Sequence, residues 1–203
     1  MIEILIALIL MVGIFTVGVR RIRMIKLGYM LQSLCIAFIC IYLGLKSGDL
    51  HYYFVGGLTI VAKLILIPYV IDKASAKSMQ NREMQPFISG FWSYILSGIS
   101  IAVCFGLLRD FGNDILKAAI VLMVIGAIII VGRKNTITQM IGFLTMENGL
   151  VVIQLSLVKM SLIIEAGIML EVLILSGIMS IMTIYISKEF NTQDTEHLTN
   201  LKE

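Results

Sequence analysis

The chain is predicted to be an all-α, polytopic membrane protein of about seven transmembrane helices, on three observations. First, 59% of its 203 residues are hydrophobic and only 14% are charged, with a mean hydropathy of +0.97. Soluble domains carry about 25% charged residues, so there is no material here for a solvated shell around a separate core. Second, the apolar residues fall into runs near the ~20 needed to cross a hydrocarbon core about 30 Å thick. Third, basic residues crowd into alternate connections between those runs. The net charge of +3 is too small to imply a nucleic-acid partner.

Taken in order, the spans are residues 2–19, 28–45, 53–72, 87–108, 115–132, 137–158 and 162–187. The first is expected to stay as a mature helix: Glu3 stands where a signal peptide has its basic region, and Arg20 and Arg21 follow the run. The second carries one strongly polar group, Gln32. The third contains Pro68, which removes the hydrogen bond to the Leu64 carbonyl and should kink the helix. The loop that follows, Lys73 to Pro86, is the longest on its side and is short and polar. The fourth span has Gly98, Ala102 and Gly106 at four-residue spacing, a pattern expected to pack helices. The sixth and seventh contain carboxylates. Residues 188–203 mix both signs and read as an exposed tail, so the domain reading is 1–187 transmembrane and 188–203 tail.

One set of ends and loops holds Arg20, Arg21, Arg23, Lys26, Lys73, Lys77, Arg82, Arg133, Lys134, Lys188 and Lys202, eleven basic residues; the other holds Lys46, Arg109, Lys117 and Lys159, four. The positive-inside rule then puts the N-terminus outside and the C-terminus in the cytoplasm, in the cell (plasma) membrane.

Three ionisable side chains lie inside apolar runs: Lys63, Glu147 and Glu171. A charge at the bilayer centre costs roughly 2.5–3.5 kcal/mol on insertion scales. All three fall near mid-depth, Glu171 about 4.5 Å nearer the outer face, too far from a helix end to snorkel easily. Such residues typically handle protons or ions. The structural alternative is that Lys63 pairs with Glu147 or Glu171 and locks helices together, a weak source of stability because desolvation offsets the attraction. Gln32, Asn148, Gln154 and Glu165 are supporting polar groups. Gln154 is two turns beyond Glu147 on the same face, Glu165 sits in the first turn of span seven, and Asn148 with Gly149 is expected to loosen the helix beside Glu147.

Cys35, Cys40 and Cys104 form no C-x-x-C pair and read as small hydrophobes. His51 and His197 lie outside the spans. No metal site, cofactor or catalytic residue is expected in this chain, and if it serves a redox enzyme, another subunit carries the metals.

An internal repeat is expected. Arg20-Arg-Ile-Arg-Met-Ile-Lys-Leu-Gly-Tyr29 resembles Lys134-Asn-Thr-Ile-Thr-Gln-Met-Ile-Gly-Phe143: a basic residue in a turn, seven residues, then Gly-aromatic near a helix start. Spans 1–3 (residues 1–72) and 5–7 (115–187) would form a parallel repeat with span 4 (87–108) as connector, placing Lys63 and Glu171 on corresponding helices.

The segment Lys134-Asn-Thr-Ile-Thr-Gln-Met-Ile-Gly-Phe-Leu-Thr-Met-Glu-Asn-Gly149 resembles the Arg-Asn…Gly…Met-Glu-Asn-Gly segment of hydrogenase-4 component E. Gly28-Tyr-Met-Leu-Gln-Ser-Leu34, Lys63-Leu-Ile-Leu-Ile-Pro68 and Leu198-Thr-Asn-Leu-Lys202 resemble the same family's pattern, in the same order. Spans 5–7 are also similar to the three-helix K-type subunit of complex I. Glu171 fits that subunit's third-helix glutamate. The second-helix position falls on Leu144, with Glu147 about one turn later on roughly the same face. The resemblance implies a membrane subunit of a group 4 nickel–iron hydrogenase or formate hydrogenlyase complex. Its partners would be antiporter-like membrane subunits, a quinone-site-like membrane subunit and a peripheral hydrogenase arm that keeps the electrons. This chain would contribute Lys63, Glu147 and Glu171 as stations of a polar axis. The alternatives are a small subunit of a multisubunit cation/proton antiporter and a stand-alone carrier.

Overall fold

The computed structural model describes residues 2–76, 86–108, 114–157 and 162–190. Seven helical rods run through these residues: α1 (Ile2–Gly18), α2 (Ile22–Ser47), α3 (Leu50–Thr59, a π-helical segment Ile60–Leu66, then Ile67–Ala76), α4 (Gly90–Leu107), α5 (Asp114–Gly132), α6 (Thr136–Leu157) and α7 (Leu162–Phe190). The chain is therefore an all-α membrane protein. Five of the rods, α2 to α6, are long and apolar enough to cross a membrane, and α1 and the Leu170–Tyr185 stretch of α7 are shorter apolar helices. Beyond Phe190 the expected tail, with its Leu198–Lys202 motif, lies outside the described residues, as do Lys77, Arg82, Arg109, Lys159 and Lys202.

Local chemistry explains where the rods begin and end. Gly48 closes α2 in the left-handed region (φ 71°), its N–H bonded to the Gly44 carbonyl, a conformation that costs glycine no Cβ clash. Asn135 caps α6: its Oδ1 accepts from Ile137 N–H at 2.9 Å and Thr138 N–H at 3.4 Å.

Helices α5 and α6 make the most extensive contact in the molecule. Glycines permit it. A Cβ on Gly126 would come within 2.5 Å of the Met146 backbone nitrogen, and one on Gly149 within 2.9 Å of the Ala119 carbonyl oxygen. Small residues that let backbones approach are the usual means of helix association in lipid, where no hydrophobic force separates helix from tail. Gly149 thus serves packing, and α6 continues unbroken past Asn148 and Gly149, contrary to the loosening expected from their types. The small residues of α4 behave in the opposite way. Gly98 and Gly106 have nothing within 4 Å, and Ala102 is exposed. Within this chain α4 packs through the face bearing Ser93 and Ser97 instead, against α1 and α5.

The two ends of the chain match in register. Helix α1 ends at Gly18 and α5 at Gly132; α2 starts at Ile22 and α6 at Thr136; Gly28 and Gly142 each approach the preceding helix, at Thr16 and Ile129. Every pair is separated by about 114 residues. The two residues in isolated bridge pairing, Arg21 and Asn135, carry the same offset. In space α1 packs on α5, α2 on α6 and α3 on α7. Arg133, nearly buried, ties the turns together by donating to the carbonyls of Val17 and Val19 (2.9 Å for Val19). The connector joins across the same end, Ile88 N–H donating to the Gly132 carbonyl at 3.2 Å.

Candidate functional site

Lys63 lies in the middle of the π-helical segment of α3, where Ile67 N–H reaches back five residues to the Ala62 carbonyl. Pro68 explains the local geometry: it has no N–H, and in a regular helix its ring meets the carbonyl four residues earlier, a conflict that a wider turn absorbs. The expected disruption beside Lys63 therefore takes the form of a π turn. Such turns are rare and often mark functional positions.

The Lys63 side chain is fully buried, and its Nζ donates to Glu147 Oε2 and, at 2.7 Å, to Asn148 Oδ1. Asn148 Nδ2 in turn donates to Ser33 Oγ at 3.2 Å. One network thus joins α3, α6 and α2 at mid-span. Helical geometry sets it up: Glu147 and Asn148 are adjacent on α6, so together they span a wide arc that meets α3 on one side and α2 on the other.

Five buried polar atoms have no hydrogen-bond partner among the described residues: Glu147 Oε1, Tyr29 Oη, both amide atoms of Gln32, and Thr59 Oγ1. They lie on α2, α3 and α6, the helices that form the network. Tyr29 lies beside Ser33 and Glu147, Thr59 is one turn before Lys63, and Gln32 turns toward α1, its Nε2 3.5 Å from where a Cβ on Gly13 would lie. Each unsatisfied buried group costs about 1–3 kcal/mol, so the cluster is a concentrated polar demand inside apolar helices.

Along the helix axes an apolar cluster lies on either side of the network. Toward the α1–α2 turn lie Ile25, Ile67, Ile71, Ile137 and Ile141. Toward the opposite face lie Ile9, Ile36, Ile39, Val55 and Val152.

The structure brings Lys63, Glu147 and Asn148 together and leaves Glu171 apart. Glu171 is exposed on the outward face of α7, in a shallow surface depression with Gly167, Leu170, Ile174 and Ile178. The inward face of α7 is Val172, Ser176, Ser180 and Thr183, with Ser180 Oγ donating to the Val70 carbonyl at 3.3 Å. Under the 114-residue offset Lys63 corresponds to Gly177, so Glu171 lies about 9 Å from that level on the corresponding helix. Gln32 borders the network without bonding to it. Gln154 is half-buried two turns away. The side chain of Glu165 lies outside the described residues. Sequence reasoning missed Ser33, Tyr29 and Thr59. Ser33 and Tyr29 flank Gln32 on α2, and Thr59 is four residues before Lys63; common hydroxyl residues become conspicuous only once the helices are placed.

No protein-family model matches the chain, and no solved structure matches it. The chain is similar to an uncharacterized protein of Mycobacterium tuberculosis, Rv0085, with 22% identity over 181 residues that cover 85% of this chain and 82% of the relative.

Proposed function

We propose that this chain is a membrane-arm subunit of a hydrogenase-type, complex I-related oxidoreductase complex, in which Lys63 and Glu147 form a proton-holding station. The observation that carries the reading is the buried Lys63–Glu147–Asn148–Ser33 network with unsatisfied polar atoms around it. An ion pair alone would satisfy a structural role with both carboxylate oxygens bonded. Here Glu147 Oε1 has no hydrogen-bond partner among the described residues, which leaves it open to a proton or a bridging water. Proton addition at Oε1 neutralises the carboxylate and weakens its hold on Lys63, whose ammonium keeps Asn148 Oδ1 as its acceptor. Loss of that proton restores the pair. A charge change nearby, driven by redox chemistry in a partner, biases which state is occupied.

The apolar clusters at either end favour lateral transfer over a route straight through the chain. Water bridging Tyr29, Gln32 and Thr59 would satisfy the orphaned atoms and extend the relay in the membrane plane. Glu171 supports a role within an assembly rather than as a stand-alone carrier. A mid-depth carboxylate facing lipid costs roughly 2.5–3.5 kcal/mol, and a neighbouring subunit removes that cost by covering it. In this reading the partners are antiporter-like and quinone-site-like membrane subunits and a peripheral nickel–iron hydrogenase arm, and the chain sits in the cell membrane with its N-terminus outside.

Mild-detergent extraction followed by mass spectrometry tests the proposal. Recovery with antiporter-like and hydrogenase subunits is expected. Recovery with cation/proton antiporter subunits alone moves the same station into that machine, and recovery only as a homo-oligomer removes the hydrogenase reading.

A further inference from the structure

A second feature lies on the outer surface, away from the buried network. Between the outer faces of α1 and α2 lies an apolar groove of about 410 Å³, lined by Leu8, Val12 and Phe15 of α1 and by Leu27, Gly28 and Leu31 of α2, with a methionine from each helix. The close approach of Gly28 to Thr16 pins the two helices beside the groove. On α2 the positions Arg23, Leu27 and Leu31 recur every four residues and share one stripe. Arg23 therefore stands at the end of the groove nearest the α1–α2 turn, beside Arg20 and Arg21. All three arginines are exposed, and no carboxylate among the described residues pairs with them.

We infer that this groove holds one anionic phospholipid, its acyl chain lying between α1 and α2 and its phosphate held by Arg20 and Arg23. The dimensions fit a single leaflet: from Arg23 to Leu31 is about 12 Å along the helix, against roughly 15 Å for half a hydrocarbon core. The walls also discriminate between occupants. A partner helix packs on small residues and polar contacts that let backbones approach, whereas this groove is lined mostly by bulky leucine, methionine and phenylalanine side chains, which fit a thin hydrocarbon chain. Unpaired guanidinium groups at the mouth select a phosphate bearing net negative charge over a zwitterionic headgroup.

The test is native mass spectrometry of the purified intact protein, equilibrated with phosphatidylglycerol and phosphatidylcholine of matched chains. Preferential retention of phosphatidylglycerol is expected. Arg20→Gln and Arg23→Gln should each weaken it about fivefold, while Lys46→Gln at the opposite end of α2 leaves it unchanged. A photoreactive residue at position 31 should label lipid. Equal retention of both lipids, indifference to the two arginines, an equal loss in the Lys46 variant, or labelling of a protein instead of a lipid would each overturn the inference. Because the arginines are exposed, thermal unfolding of the variants should match that of the parent protein, and a variant that unfolds early is replaced by Leu27→Trp, which blocks the groove and should abolish retention.

Discussion

Replacing Lys63 with methionine keeps most of the side-chain stem and removes the ammonium. The Lys63 side chain is 0% exposed and that of Glu147 3%, so a stranded carboxylate would be a buried, unpaired charge. Glu147 Oε1 already lacks a partner, and without Lys63 its Oε2 and Asn148 Oδ1 lose theirs as well. Breaking a buried pair from one side costs about 3–5 kcal/mol, a large part of a typical stability of about 5–15 kcal/mol. Glu147→Met should cost a similar amount by stranding the cation. In the double variant Lys63→Met/Glu147→Met no charge is buried. Apolar replacement of a whole pair is often neutral or better, which leaves chiefly the orphaned Asn148 carbonyl at about 1–3 kcal/mol. The double variant should therefore be more stable than either single one, with a coupling of at least ~3 kcal/mol. Denaturant unfolding in mixed micelles, followed by circular dichroism, measures all four corners of the cycle. Additive losses, or single variants as stable as the parent, would refute the buried-pair reasoning.

The α5–α6 seam predicts that Gly126→Ala destabilises by roughly 1–3 kcal/mol through overpacking, whereas Gly98→Ala, with open space at its Cβ, is neutral or slightly stabilising in the same unfolding assay. Arg133→Gln should cost about 1.5–3 kcal/mol by releasing the carbonyls of Val17 and Val19. Glu171→Gln should change the stability of the isolated chain by less than ~0.5 kcal/mol, because the group is exposed there, yet weaken copurification of membrane partners; a stability loss without a partner effect would contradict its outward role. With native cysteines replaced, single cysteines at Arg20 and Ser47, at opposite ends of the α1–α2 hairpin, should label from opposite sides with an impermeant thiol reagent, Ser47 from outside.

The seven rods were legible because each crossing needs a long apolar run, and lipid leaves little else for such a segment to do. The Arg20–Tyr29 and Lys134–Phe143 likeness carried the register that the helix ends share. Pro68 announced a disturbance beside Lys63, though its form, a π turn, depends on how the surrounding helices hold the backbone. The partner of Lys63 was open between Glu147 and Glu171, since composition gives depth along a helix but no rotation about it. Helix α7 is apolar nearly all round, so no periodicity revealed that Val172, Ser176 and Ser180 face inward and Glu171 outward. The same blindness applied to α4, where small residues that read as a packing face look outward instead.

The central claim is that the Lys63–Glu147 pair moves protons rather than merely joining α3 to α6. The most direct measurement is redox-driven proton movement in vesicles carrying the complex assembled with the Lys63→Met/Glu147→Met chain, in which no lone charge is buried. Normal assembly and unchanged hydrogenase turnover with an artificial electron donor, together with a marked fall in proton movement, is the predicted result. Undiminished proton movement in that assembled, charge-free complex would contradict the account.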